Sequence, residues 1–466
     1  MADLALDQGS SIAIRYDRQK LFILSVIALV TAGMTFSLRA TILPDLSKAF
    51  FEGTDPLQSA TLVAGAAAVA FLSFAIAIFV ASPLCDFLGM GRLLALSGTL
   101  FVVGATITLA AGTLSKYAPI YWVLWTGFLL VGIAHGLVEA TINPLIATLF
   151  PEDKTHRLNV LHAWWPGGII IGSLIGLIPG HHWQLQYGMI LVPAVLFTLM
   201  LVGTHFPPTE RVAAKVPVSD MIKEVFNPLF LILMLAMLLT ASSELAPGQW
   251  VNVALTLVGM PGIVVLVYVS ALMFVMRHFA GTLAHKVSPI GLMWISSLLA
   301  VIGLVLLTKA NSPITALLAA TVWGTGVCYM WPTMLGITSE RFPRGGAFLM
   351  GVMGSAGSVA IFFILPKLGD VYDKAKVAEA TKMGLDFTKL SAQANVDKGA
   401  EATLHQILGH AGAASFQFVA MLCSALLIVF GGLWLYFKAQ GGYKAVRLDT
   451  GAAAPGMPEA APTADL

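Results

Sequence analysis

Charge is what this chain has least of. Only 11% of its 466 residues are Asp, Glu, Lys or Arg, against roughly 25% in a soluble globular domain. With so little ionic surface and a mean hydropathy of +0.85, the composition excludes a water-soluble protein. A formal net charge of +2 is too small to hold the phosphate backbone of a nucleic acid. Cysteine is scarce as well. Cys85, Cys328 and Cys423 stand at unrelated spacings in or beside apolar runs, which excludes a disulfide framework or thiolate metal site and leaves them as packing residues. Also missing are a phosphate-binding loop, a zinc-binding histidine pair on a helix and a nucleophile elbow. No enzymatic activity, cofactor or metal ion is therefore expected.

What is present is apolar sequence, 58% of the chain. Crossing a hydrocarbon core takes about 20 residues of helix. Twelve runs reach that scale: 21–44, 61–82, 93–112, 120–149, 159–180, 187–206, 229–251, 260–280, 290–308, 314–337, 347–368 and 412–437. The expectation is an all-α membrane protein of twelve transmembrane helices in two six-helix halves, 21–206 and 229–437. A segment 1–20 precedes them, a polar linker 207–228 joins them, and a tail 438–466 follows, its Ala- and Pro-rich end reading as disorder. No small-residue cleavage site follows the first run, which is expected to remain as a span. Arg92, Lys154, Arg157, Arg341, Arg344, Lys438 and Arg447 fall on one side of the spans. Lys48, Lys116 and Lys309 occupy the short connections on the other. That bias makes cytoplasmic termini the expectation, and the expected location is a plasma membrane, a bacterial inner membrane. The longer connection 369–411 weighs little in the rule and is expected to hold a surface helix.

The halves echo one another. Asn143-Pro144 is followed by Gly168, Gly172 and Gly176; Trp331-Pro332 is followed by Gly351, Gly354 and Gly357. Parallel six-span repeats of this kind build transporters that rock around a midplane site, and small residues let their helices approach closely.

An ionisable residue at bilayer depth costs from about 3 to more than 10 kcal/mol, so one that persists there marks a solute or ion path. Span 4 holds Glu139, with His135 four residues before it and Asn143 four after, all on one face. Span 5 offers Asn159, His162 and Trp165 at three-residue steps. Glu139 is expected to carry a coupling proton, with His135 beside it. Asn143, Asn159 and His162 are candidate hydrogen-bonding partners of a solute, though asparagines also glue membrane helices together. Trp165, Trp250 and Trp331 are candidate stacking surfaces. Arg39 and Glu244 each precede a proline, in the outer halves of spans 1 and 7, and are expected to pair as an outer gate that tightens when the cavity faces inward.

The loop Ser82-Pro-Leu-Cys-Asp86-Phe-Leu-Gly89-Met-Gly-Arg92 resembles the major facilitator loop signature, with Ser82 where glycine is usual. Met276-Arg277-His278-Phe-Ala-Gly281-Thr-Leu-Ala-His285-Lys286 resembles its second-half copy, with His285 in the acidic position. The resemblance implies an inner gate pinned by Asp86 and Arg92, to which Arg157 and Arg341 are added. Segment 139–168 is similar to the fucose–galactose–glucose:proton symporter family through Glu139, Asn143-Pro144, Pro151, Leu158-Asn159 and Gly168. Ile42-Leu43-Pro44 with Phe50, and Ser243-Glu244 with Gln249-Trp250, fit the same family. The likeness adds Gln249 to the solute-binding candidates and gives Glu139 a part in proton and sugar handling. The chain departs from it at Ala40, where fucose-carrying members have an acid, and at Trp165, where they have an asparagine of the sugar site.

The expected function is secondary transport into the cell of a monosaccharide or similar small polar solute, coupled to protons, by alternating access. Solute, proton and lipid bilayer are the expected partners, and a monomer is expected to suffice. The alternative is a proton-driven exporter of amphipathic compounds on the same fold, which 19 methionines and 26 phenylalanines would suit.

Overall fold

In hydrocarbon every backbone amide must find its partner within its own segment, and helix is the open-chain solution. The computed structural model describes residues 16–51, 59–178, 182–257, 262–394 and 397–448; the Ala/Pro-rich tail lies outside them, as do the side chains of Gln249 and Trp250. No strand occurs among the described residues. The principal helices are α1 (Arg18–Phe50), α2 (Ser59–Leu88), α3 (Met90–Leu109), α4 (Ile120–Leu149), α5 (Lys154–Gly176) and α6 (Trp183–Met200). They continue with α7 (Pro228–Leu257), α8 (Gly262–Arg277), α9 (Ala280–Leu307), α10 (Pro313–Arg341), α11 (Gly346–Lys382) and α12 (Lys398–Ala439). Among the described residues 11 helices are long and apolar enough to cross a membrane. The twelfth expected position is taken by α8, 16 residues long. The polar connection between α6 and α7 carries two short helices, Glu210–Ala213 and Val218–Glu224.

Hydroxyls at membrane depth are satisfied within their own helices. Ser25, Thr31 and Thr35 of α1 each donate to the carbonyl four residues earlier, at 2.8, 2.8 and 2.5 Å, which removes the cost of burying them. Residues 369–411, expected as a loop with a surface helix, are largely regular. Helix α11 runs on to Lys382, a short helix Phe387–Gln393 follows, and α12 begins at Lys398, the three meeting in a small core of Ala380, Leu390, Ala400 and Ile407.

The two glycine series do different work. Gly168 and Gly172 lie against the backbone of α1, where a Cβ on Gly168 would collide with Val30 O and one on Gly172 with Ser37 Oγ. This contact is internal to the first six helices. Gly351 of α11 instead meets Ser82 and Ile78 of α2, so it serves the crossing between the first six helices and the last six. A second crossing joins α5 to α8.

Candidate functional site

Between the two sets of helices lies a cavity of about 240 Å³. Its walls include Thr35, Phe36 and Arg39 of α1, Phe71 and Phe74 of α2, His135 and Glu139 of α4, His162 and Trp165 of α5, Glu244 of α7, Arg277 of α8 and Trp331 of α10. Residues singled out on five separate spans of the sequence thus converge on one hollow.

Glu139 is 4% exposed. Its Oε2 accepts from Asn143 Nδ2 at 2.9 Å, and the same amide nitrogen also donates to Glu139 O at 2.8 Å. Asn143 Oδ1 lies 2.9 Å from His162 Nε2; facing an acceptor-only oxygen, that ring nitrogen is the donor. His162 Nε2 and His135 Nε2 lie 3.8 and 4.0 Å from the Glu139 carboxylate. His135 Nε2 is buried and has no hydrogen-bond partner. One carboxyl, two imidazoles and an amide therefore cluster at the cavity, with hydrogen bonds running from His162 to Asn143 and from Asn143 to Glu139.

Proline explains the other half of the site. Inside a helix it lacks the N–H that would reach the carbonyl four residues earlier, leaving that oxygen open, and a buried open carbonyl needs a donor. Pro144 frees Ala140 O, to which the Cys85 thiol donates at 3.3 Å. Pro247 frees Ser243 O, which receives the Trp323 indole N–H at 3.3 Å. Pro166 frees His162 O and Pro332 frees Cys328 O. Both are taken by one guanidinium, Arg277, through Nη1 at 2.7 Å and Nε at 2.6 Å. The remaining nitrogen, Nη2, pairs with Glu244 Oε1 at 2.8 Å. Trp331 N–H donates to the other oxygen of Glu244 at 3.3 Å. Arg277 thus ties α5 to α7 and α10 across the seam between the two sets of helices.

Arg39 and Glu244, expected as a pair, are apart in this structure, because Arg277 holds Glu244. Arg39 is 8% exposed and has no hydrogen-bond or ion-pair partner among the described residues. Its guanidinium lies over the Phe71 ring, 4.8 Å from the centroid. A ring face returns about 0.5–2 kcal/mol to a cation, short of the several kcal/mol that desolvating one costs.

At the end bearing both described termini, the connections differ from the expected inner gate. Asp86 pairs with Arg211 at 2.7 Å and accepts from Thr209; Arg92 turns back to Leu88 O at 3.3 Å. Arg157 stacks on Phe150, and Arg341 on Phe437 while donating to Lys444 O at 2.6 Å. The seam itself is closed by residues the sequence reading did not assign to a gate. Lys154 reaches Glu210 at 2.5 Å and Ser339 O at 3.2 Å. Thr155 donates its amide and hydroxyl to Glu340 Oε1 at 3.1 and 2.6 Å, and Tyr443 donates to Glu340 Oε2 at 2.7 Å. Burial, with the Glu340 carboxylate adding to it, holds the Tyr443 phenol well above its usual value, so it remains a donor. His285, in the acidic position of the second loop, faces Asp153 at 3.5 Å.

Neither Asn143, which stands behind Glu139 and His162, nor Asn159 lines the cavity. Asn159 has other partners. It donates to Thr333 Oγ1 at 3.1 Å and to Thr155 O at 2.9 Å, joining α5 to α10. Among the described residues no cluster of metal-ligating side chains occurs.

The profile of the Major Facilitator Superfamily matches residues 21–365. A D-xylose transporter of Levilactobacillus brevis is 31% identical over 139 residues, which is 28% of this chain and 28% of that protein; the match thus spans little more than a quarter of that relative's length. The fold is similar to that of FucP, the E. coli fucose:proton symporter, in its outward conformation (TM-score 0.67, 17% identity, 89% of this chain and 98% of that one). It is also similar to the E. coli proton:xylose symporter XylE bound to 6-bromo-6-deoxy-D-glucose (TM-score 0.64, 14% identity, 90% of this chain and 99% of that one).

Proposed function

Because the chain belongs to the Major Facilitator Superfamily, we propose that it imports a monosaccharide or similar small polar solute together with protons. Residues 21–206 and 229–437 rock against one another in a bacterial inner membrane, with both termini in the cytoplasm and the monomer as the working unit. The observation that carries this reading is the Glu139 carboxyl on the cavity wall, bonded to Asn143 and flanked by His135 and His162. The names of the similar proteins, a D-xylose transporter and two sugar:proton symporters, support the same solute class.

In this reading Glu139 loads and releases the proton as the cavity changes sides, and His135 relays it. His162 meets the solute's hydroxyls, Asn143 holds Glu139 and His162 in place, Trp165 and Trp331 present ring faces to the solute, and Asn159 works as a tie between α5 and α10. The seam formed by Lys154, Thr155, Glu210 and Glu340 is the cytoplasmic gate, closed in this conformation. A cavity of about 240 Å³, below the roughly 300–1,000 Å³ of sites for drug-sized ligands, favours a small solute over the bulky cargo of an amphipath exporter.

The test is transport in proteoliposomes. Glu139→Gln is expected to abolish accumulation of labelled solute driven by an inward proton gradient while exchange of solute for solute continues. Undiminished gradient-driven uptake by this variant removes Glu139 from the coupling role.

A further inference from the structure

The charges around the cavity do not balance by contact. Arg277 and Glu244 satisfy one another at 2.8 Å, and Glu139 is engaged by Asn143 at 2.9 Å. That leaves Arg39 on the cavity wall with a ring face beneath it and no acceptor among the described residues. His135 Nε2, on the same wall, also has no hydrogen-bond partner among the described residues. A guanidinium is a planar fork of five donors, matched in shape and charge by a carboxylate that accepts two parallel bonds. A neutral hydroxyl offers it no compensating charge. Five empty donors on a residue more than nine-tenths buried therefore describe half of an ion pair whose other half arrives with the cargo.

We propose that the solute is a sugar acid, a small polyhydroxylated carboxylate whose anionic end is received by Arg39 and whose hydroxylated body lies against Trp165, Trp331 and His162. This rests on the transport reading above and narrows it from sugars in general to their acids. It also gives the coupling a physical cause. With Arg39, Arg277, Glu244 and an ionised Glu139 the wall sums to zero, so an entering carboxylate makes the site net negative unless Glu139 takes up a proton. One acid anion and one proton then travel as a neutral pair.

The experiment compares each common hexose with its own C6 acid and C1 acid, as stabilisers of the purified full-length protein in a thermal-shift assay and as substrates in proteoliposomes. At least one acid is expected to raise the melting temperature at concentrations where its neutral parent does not. Arg39→Gln is expected to weaken that acid about ten-fold or more and Arg39→Lys to retain part of the binding, because a point charge replaces the fork. If neutral sugars stabilise the native protein and Arg39→Gln alike, the acid assignment falls while the sugar reading stands. If no compound in the set binds, both fall. Should Arg39→Gln not purify as a monodisperse species, the preference of the native protein between acid and parent decides alone.

Discussion

At the scale of residues the site rests on Arg277. Its guanidinium serves a carboxylate and two proline-freed carbonyls, each bond 2.6–2.8 Å long. Arg277→Met is expected to cost about 3–5 kcal/mol, since it strands the buried Glu244 carboxylate and leaves two carbonyls open. The loss will read as a lowered melting temperature in detergent. Arg277→Met combined with Glu244→Leu should recover part of it, because a buried ion pair replaced as a unit by apolar side chains is often near neutral. A double variant as unstable as the sum of the singles would contradict this account. Arg277 was not legible from the sequence as a cavity residue. It stands beside His278, Lys286 and a loop signature, where a basic residue reads as cytoplasmic charge. The available signal was indirect: Pro166 and Pro332 lie inside apolar spans, each must leave a carbonyl open, and some donor has to answer both. Glu139, His135, Asn143 and His162 were easier to find, because i, i+4 spacing alone sets the first three of those side chains on one helix face.

At the scale of elements the helices were readable from composition and their partners were not. Long apolar runs declare where the chain crosses, but glycine series look the same whether they pack within a half or between halves. The structure separates them, with Gly168 and Gly172 against α1 and Gly351 against α2. Gly168→Val is expected to destabilise by several kcal/mol, because the new atoms meet backbone that has no room to yield. Gly432→Ala on α12, where a Cβ meets nothing within 4 Å, should be neutral or stabilise by up to about 1 kcal/mol. Melting temperatures of the two variants compared with the parent check the pair. Equal effects would mean that helix propensity, not close approach, governs both sites. Helix α9 illustrates another limit of sequence reading. Ser288, at φ 69° before Pro289, breaks α9 just ahead of the span expected at 290–308, and the turns before it, expected as loop, are helical.

At the scale of the whole molecule, closure at the end bearing the termini depends on Glu340. Its two oxygens join Thr155 of α5 to Tyr443 beyond α12, and its own carbonyl receives Val446 N–H at 2.7 Å. Glu340→Ala is expected to shift the population toward the state in which this end is open. Spin labels at Glu152 and Arg344 should then show added longer distances, and Tyr443→Phe should produce a smaller change of the same sign. An unaltered distance distribution in Glu340→Ala would show that the Lys154 and Asn159 ties and the helix crossings hold the seam without it. This gate was misplaced at the sequence level because charge in a loop motif suggested Asp86 and Arg92, whereas Asp86 is engaged by Arg211 from the polar connection. A motif names residues that matter for a turn without naming whom they touch.

Proline is commonly regarded as damage to a helix, yet in this bundle it acts as a socket. Restoring the ring-free amide with Pro166→Ala would let the backbone compete for the oxygen at His162, weakening the one hydrogen bond that, among the described residues, the arginine makes to the opposite half. Straightening one strut could thereby unfasten the hinge pin, so that a change apparently kind to local geometry loosens the machine.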